Sequence, residues 1–290
     1  MRQPSLVSLG LVGMLAWVPV TGHFAVGPQS PQGRPIQVGY CTPLANLEAA
    51  KAAGFDYVEL GTSEIAGLSD AEFEQAAARI HEVGMPVPAM NLFLPASLKV
   101  TGPDLNVDRQ MAYVRKAFAR LARIGTTIVV FGSGAARRVP DGFPKDRAFQ
   151  QLVEFGRRIA PEARARGITI AVEPLRPEET NIINSATEGL ALVTAVSDPG
   201  FQLMVDFYHL ASVKEDPAII VRARDHIRHL HMANPDGRVF PRASGEYDYA
   251  PFFAAVNAIG YRLRISVEAS TRDLTADAPP AIALLRGAFR

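Results

Sequence analysis

Four residues in the second half of the chain carry side chains that bind divalent metal ions: Glu173, Asp206, His231 and Glu268. Each lies near the end of a short apolar run, in AVEPL, MVDFYH, HLHMAN and SVEAS respectively. The separations are 33 (173 to 206), 25 (206 to 231) and 37 (231 to 268) residues, close to one strand plus one helix apiece. Three carboxylates and one imidazole form a mostly oxygen set that suits Mn²⁺, Mg²⁺ or Co²⁺. The spacing therefore predicts one metal site shared by four neighbouring strands.

Taken singly, each acid at a strand end has a simpler interpretation, because such residues often cap a helix or pair with a basic side chain. Together they are harder to explain without a cation. Burying three carboxylates side by side costs several kcal/mol in repulsion and lost hydration. A bound cation removes that cost, so the cluster as a whole favours a metal site.

Eight short apolar or β-branched runs alternate with longer segments of helical period, which is typical of a parallel sheet with crossover helices. The predicted strands are residues 36–41, 56–60, 87–93, 126–132, 168–174, 201–207, 227–233 and 263–269. Eight such units close into a barrel whose active site lies at the carboxyl ends of the strands, where the four candidate ligands fall. We therefore predict the α/β class, with a single (β/α)₈ TIM barrel.

Helix boundaries fit this order of elements. Ser69 and Glu72 form a capping-box pattern ahead of a helix that ends at Gly84. Glycines also close three later helical segments before strands four, five and eight: Gly125, Gly167 and Gly260. Pro161 is the one conflict, because a proline inside a helix removes a backbone donor. We expect it to kink or divide that helix without splitting the domain.

Side chains alternate along a strand, so the residues two positions before the candidate ligands also face the barrel interior. These residues are Ala171, Met204, His229 and Ser266. We expect them to fill the layer below the metal site, with His229 as a packed and hydrogen-bonded histidine. The alternative for His229 is a supporting contact behind a metal ligand.

The amino-terminal segment differs from the rest of the chain. Residues 5–20 contain no charged side chain and follow Arg2, and a run of this length is typical of a secretory leader rather than a membrane span. We assign residues 1–26 to a leader, 27–35 to a Gly, Pro and Gln-rich linker, and 36–290 to the barrel. A genuine leader implies a periplasmic or secreted protein without stable membrane insertion. A mis-assigned start implies a cytoplasmic one, and an uncleaved anchor is the remaining alternative.

The composition narrows the choice of partners. Of the 290 residues, 48% are hydrophobic and 20% are charged, as in an ordinary folded domain. Lys and Arg number 30 against 29 Asp and Glu, so the chain lacks the positive excess of nucleic-acid-binding proteins. Cys41 is the single cysteine, which excludes an intrachain disulfide. The expected partner is a small molecule, with a homo-oligomer left open.

The motifs together resemble a known family. All eight predicted units contribute matching stretches, namely VGYC, GFDYVEL, NLFLP, VVFGSG, VEPLRPEETN, VDFYH, HLHMANPDGR, GEYDYAPFF and SVEAS. In these stretches the chain is similar to the sugar phosphate isomerase/epimerase family of xylose-isomerase-like TIM barrels. Within that family it most resembles the D-tagatose 3-epimerase branch.

The resemblance implies one divalent ion per chain, Mn²⁺ first with Mg²⁺ or Co²⁺ as alternatives, bound by Glu173, Asp206, His231 and Glu268. It also implies that Glu173 and Glu268 form the acid/base pair. The implied substrate is a sugar or a sugar-like molecule. The implied reaction moves a proton next to a carbonyl through an enediolate and gives an epimer or an isomer.

The resemblance further implies that three residues bind the substrate: His209, Arg238 and Glu179. For Arg238 the alternative is a solvated position in a loop. Arg137 and Arg138 follow the fourth strand, where they would either bind an anionic substrate or lie in water.

One departure from the family leaves the substrate open. The only tryptophan, Trp17, lies in the predicted leader, whereas sugar epimerases of this family often line the pocket with tryptophan. Phe93, Phe131 or Tyr208 could take that place.

Three functions are therefore considered. The first is a sugar isomerase or epimerase, the second a lyase or dehydratase acting on a keto-sugar or keto-cyclitol, and the third a non-catalytic sugar-binding barrel. An abasic-site nuclease of the same superfamily fits least well, because it requires a histidine-rich cluster of several metals and a basic face.

Overall fold

The structure is a computed structural model that describes Met1 and residues 35–289. Apart from Met1 and Pro35, the predicted leader and linker lie outside the described residues. The strands are β1 Gln37–Cys41, β2 Tyr57–Gly61, β3 Ala89–Asn91, β4 Ile128–Phe131, β5 Thr169–Val172, β6 Phe201–Asp206, β7 Ile227–Met232 and β8 Arg264–Val267. They form one closed barrel in chain order, with β1 paired in parallel to both β2 and β8. This confirms the predicted (β/α)₈ fold.

Helices cover the outside of the barrel and occupy the connections between strands. Within residues 35–289 they are α1 Leu47–Ala52, α2 Thr62–Gly67, α3 Asp70–Val83, α4 Val107–Arg123, α5 Gly134–Arg137, α6 Lys145–Arg164, α7 Ala186–Val196, α8 Phe207–Ser212, α9 Ala218–Arg222, α10 Ala250–Ala258 and α11 Leu274–Ala288. No helix in this part of the chain has the length and apolar character needed to cross a bilayer.

The predicted capping box is present, because the Ser69 side chain accepts from the Glu72 amide while the Glu72 side chain accepts from the Ser69 amide. Gly84 ends α3 with a φ of 65°, in the left-handed region that glycine adopts at low cost. The expectation for Pro161 is wrong in part, since α6 runs undivided to Arg164. Pro161 lies in the last turn of α6, so its missing donor removes a hydrogen bond only near the helix end.

The lower part of the barrel is filled by side chains rather than open. Tyr57, Ala89, Ile128, Val130, Ala171 and Met204 form a buried cluster inside the strands. A larger apolar layer between strands and helices surrounds it. The filled interior leaves the carboxyl ends of the strands as the place where polar side chains meet a cavity.

Candidate metal centre and active site

The four candidate ligands converge at the carboxyl end of the barrel. Asp206 is the last residue of β6, His231 lies within β7, and Glu173 and Glu268 directly follow β5 and β8. One ligand atom from each lies within 4.8 Å of the others. The structure thus brings together all four residues that the sequence singled out.

The atoms that face each other in this cluster suit a cation. Glu173 Oε1, Asp206 Oδ2 and His231 Nδ1 are buried and have no hydrogen-bond partner among the described residues. His231 Nδ1 lies 3.4 Å from both Glu173 Oε1 and Glu268 Oε2. Buried polar atoms left without partners cost free energy, and a divalent ion coordinated by three oxygens and one nitrogen would satisfy all of them. The donor set therefore fits the metal that the sequence predicts.

The pKa values in the cluster reflect crowded negative charge. Burial, followed by the charges of Glu268 and Glu173, raises the pKa of Asp206 to about 8. Burial and the charge of Glu268 also raise the pKa of Glu173. Burial opposes the charge of Glu268, but His231 and Arg238 lower its pKa to about 2. At neutral pH Asp206 therefore holds a proton that a bound cation would displace.

Arg238 lies in the site rather than in solvent. Its Nη2 donates to Glu268 Oε2 at 2.6 Å, and its Nη1 donates to Glu179 Oε1 at 3.3 Å. The guanidinium lies 4.6 Å from the ring centroid of Tyr208. Its backbone has a φ of 49°, which is uncommon for a residue other than glycine. This backbone conformation allows the Arg238 guanidinium to contact the carboxylates of both Glu268 and Glu179.

His209 is carried into the site by α8. The Asp206 side chain caps that helix through Oδ1, which accepts from the Tyr208 amide at 2.8 Å. His209 Nδ1 accepts from the Arg176 amide at 3.2 Å, which leaves Nε2 as the protonated nitrogen. Burial, followed by the charge of Arg238, lowers the pKa of His209 to about 3. This neutral ring points its Nε2–H toward Asp206 Oδ2, 3.6 Å away.

A pocket of about 490 Å³ opens beside Glu268. Its lining is mixed and includes Cys41, Thr42, Glu64, Asn91, Leu92, Arg238 and Ser270. Leu92 stands at the rim, 60% exposed and with a φ of 47°. The volume of the pocket lies in the range of small-molecule sites.

Two aromatic residues expected near the substrate are not in this pocket. Phe93 and Phe131 are fully buried in the core, where their rings meet edge to face at 5.9 Å. Phe131 follows the inward-facing Val130 by one residue and packs against Phe155 of α6, whereas Phe93 lies beyond the end of β3 and packs against Phe118 of α4. Tyr208 does not line the pocket either, but its ring lies 4.6 Å from the guanidinium of Arg238 at the edge of the site.

Comparison with known proteins identifies the fold family. The family model described as xylose isomerase-like TIM barrel matches residues 47–288. The chain belongs to this family. The resemblance inferred from the sequence motifs is thereby confirmed, and the four candidate ligands lie at the carboxyl end of a xylose isomerase-like barrel.

Curated relatives in this family include sugar epimerases. An L-ribulose 3-epimerase of Mesorhizobium japonicum is 25% identical over 234 residues, which covers 79% of this chain and 75% of that protein. A D-psicose 3-epimerase of Ruminiclostridium cellulolyticum is 24% identical over 233 residues, covering 78% of each chain. Both alignments extend across most of the barrel.

Solved structures show the same fold. A D-allulose 3-epimerase from Methylomonas sp. superposes with a TM-score of 0.76 at 23% identity, covering 88% of this chain and 98% of that one. A 3-keto-D-glucoside 4-epimerase from E. coli superposes with a TM-score of 0.73 at 20% identity, covering 87% and 99%.

Glu59 is a buried acid at the site that the sequence reasoning missed. It lies in β2 with no exposed surface, between the side chains of His229 and His231. Burial opposes its charge, but His231 and His229 hold the pKa of Glu59 well below its usual value. DYVEL carries the same signal as the strands of Glu173, Asp206 and Glu268, an acid near the end of an apolar run. The expectation that His229 is packed and hydrogen-bonded is confirmed.

Neither expectation for Arg137 is correct. Its guanidinium is fully buried and donates to the backbone oxygens of Phe131 at 3.0 Å and Glu173 at 2.7 Å. Arg137 therefore ties β4 to the end of β5 and supports the segment that carries Glu173. Arg138 is exposed, and its side chain donates to the backbone oxygen of Glu178 at 3.2 Å.

Proposed function

We propose that this chain is a divalent-metal-dependent sugar epimerase that inverts a carbon next to the carbonyl of a ketose. The observation that carries the proposal is the cluster of Glu173, Asp206, His231 and Glu268 beside a pocket of mixed lining. Curated relatives that align with most of the chain are named as ketose 3-epimerases, which supports this reaction over a lyase.

The reaction requires help because a hydrogen next to a carbonyl is a weak acid. A divalent ion held by the four ligands, with Mn²⁺ as the first choice, would stabilise the negative charge that develops on the substrate oxygens. The protein must then supply a base to remove the proton and an acid to return one to the opposite face.

Glu268 and Glu173 are the proposed proton carriers. Their pKa values are pushed apart, since His231 and then Arg238 lower the pKa of Glu268 to about 2, while burial raises the pKa of Glu173. Such a pair offers a base and an acid at the same pH. In one direction Glu268 takes the proton from the pocket side and Glu173 returns one from the other side, and the reverse reaction exchanges these roles.

His209, Arg238 and Glu179 are proposed to hold the substrate oxygens. The neutral His209 ring donates from Nε2, which suits a hydroxyl or carbonyl oxygen. Glu179 Oε1 accepts from Arg176 at 3.0 Å and from Arg238 at 3.3 Å, so it holds both arginine side chains at the edge of the site. A sugar with several hydroxyls can use these donors and acceptors together.

The proposal is tested by assaying chelator-treated protein, with and without added Mn²⁺, on a panel of unphosphorylated ketoses. Chromatography should show interconversion of epimers that depends on the metal. Glu268→Gln should slow it by about 10²–10⁴-fold, whereas Arg138→Gln, an exposed change outside the pocket, should not. Release of water from a keto-sugar or keto-cyclitol would support the lyase instead. Sugar binding without turnover would support a binding protein, and either result would reject the epimerase.

A further inference from the structure

A second, deeper layer of polar side chains lies directly behind His231. Glu59 Oε1 lies 3.0 Å from His231 Nε2, while Glu59 Oε2 lies 2.8 Å from His229 Nε2 and accepts from Ser266 Oγ at 2.6 Å. Ser266 Oγ lies 2.8 Å from the hydroxyl of Tyr57, which can donate to it. None of these side chains reaches the pocket, so the layer needs an explanation other than substrate contact.

The contact with His231 decides which ring nitrogen can bind a cation. A carboxylate only accepts, so Glu59 keeps a proton on His231 Nε2. Nδ1 is then the nitrogen that remains available as a ligand, and it is the one that lies 3.4 Å from Glu173 Oε1 and Glu268 Oε2. Without Glu59, a neutral His231 ring could carry its proton on either nitrogen. The form protonated on Nδ1 would be unable to coordinate a metal through that atom.

The position of Glu59 is fixed from several strands at once. Glu59 belongs to β2, His229 and His231 to β7, and Ser266 to β8. Three donors on one fully buried carboxylate leave it little freedom to turn away from His231. Partners of this kind orient metal-binding histidines, and their loss typically lowers metal affinity by about 10- to 100-fold.

We propose that Glu59 is a positioning residue that holds His231 in the tautomer and orientation needed to bind the metal through Nδ1. The inference rests on the cation site of the proposed function. It assigns no contact with the substrate to Glu59, so its effect should appear in metal affinity and not in proton transfer.

The test is a calorimetric titration of chelator-treated protein with Mn²⁺. Glu59→Gln keeps the shape of the side chain but replaces one accepting oxygen with a donor and removes the charge. Its affinity for Mn²⁺ should fall about 10- to 100-fold. Tyr57→Phe is the matched control, because it removes one buried hydroxyl from the same layer while all three donors to Glu59 remain. Its affinity should equal that of the parent.

Saturating Mn²⁺ should restore most of the epimerase rate of Glu59→Gln, as expected of a residue that acts through His231. If Glu59→Gln does not fold, Glu59→Asp retains the charge but is one methylene too short for the same contact, and its affinity should fall as well. Parental affinity in a folded Glu59 variant, or an equal loss in Tyr57→Phe, would overturn the inference. A parent protein that binds no Mn²⁺ at all would instead reject the proposed function.

Discussion

Asp206 is a proposed metal ligand, and its ionised form also lowers the stability of the metal-free protein. The substitution Asp206→Asn distinguishes these two effects. Its Oδ1 accepts from the Tyr208 amide, which an asparagine oxygen can also do. Its Oδ2 has no hydrogen-bond partner among the described residues and lies in the cluster with Glu173 and Glu268, 3.6 Å from His209 Nε2. We therefore predict that Asp206→Asn weakens metal binding while making the metal-free protein more stable at alkaline pH.

The size of the effect follows from the pKa of Asp206. Burial, then the charges of Glu268 and Glu173, raises it from 3.8 to about 8. The folded protein thus binds one more proton than the unfolded chain between these values, so the metal-free fold loses stability as the pH rises through this window. The ceiling is roughly 6 kcal/mol at 1.36 kcal/mol per pKa unit. Because neighbouring carboxyls share the repulsion, we expect a gain of about 1–3 kcal/mol, or several degrees in Tm.

The assay is thermal unfolding in chelator at about pH 5 and about pH 9, on either side of the pKa of Asp206. Asp206→Asn should exceed the parent at the higher pH and approach it at the lower one, where Asp206 is already neutral. Asp225→Asn, with 86% of its side chain exposed, is the control and should show no such dependence. A variant that is less stable than the parent at alkaline pH would refute the reasoning, as would the same difference at both pH values.

Three further predictions concern the same site. Glu173→Gln and Glu268→Gln should each lower the steady-state rate by about 10²–10⁴-fold even in excess Mn²⁺, whereas Asp206→Asn should regain much of its rate; rescue of both glutamine variants would exclude them as proton carriers. Chelation should lower the Tm of the parent, and elemental analysis should find one ion per chain. The affinity for Mn²⁺ should rise toward pH 8 as Asp206 loses its proton. An unchanged Tm and ion content would contradict the metal site. Arg137→Met should cost about 1–3 kcal/mol in urea unfolding because it leaves the buried carbonyl of Glu173 without its donor, and the exposed Arg138→Met should cost little; equal losses would contradict a structural role for Arg137.

Hydrophobic periodicity and helix-capping residues predicted the barrel because both depend only on residues close together in the sequence. Each of the eight predicted strand segments overlaps one observed strand, with β2 extending one residue beyond its segment to Gly61, and the Ser69–Glu72 capping box starts α3 as expected. Pro161 was misjudged because the sequence does not show how close it lies to the end of α6. The direction of Phe93 and Phe131 depends on where each strand stops, and strand ends are set by tertiary packing.

The metal ligands could be predicted because metal-binding residue types recur at the same place, the end of a strand. Glu173, Asp206, His231 and Glu268 repeat at strand ends, so their convergence followed from the topology. Glu59 was missed because its partners, His229 and His231, lie 170 and 172 residues away in the chain. The burial of Arg137 depends on carbonyl groups contributed by two strand ends, which no local pattern records.

The most direct test of the proposed reaction is the fate of the hydrogen at the inverted carbon. The Mn²⁺-loaded protein is incubated in deuterated water with the ketose it converts best, and the first product formed is examined by NMR. Proton transfer between Glu268 and Glu173 predicts that each molecule of product epimer carries one solvent deuterium at the inverted carbon. Product formed at the same rate with its original hydrogen retained there would contradict an enediolate route between two glutamates.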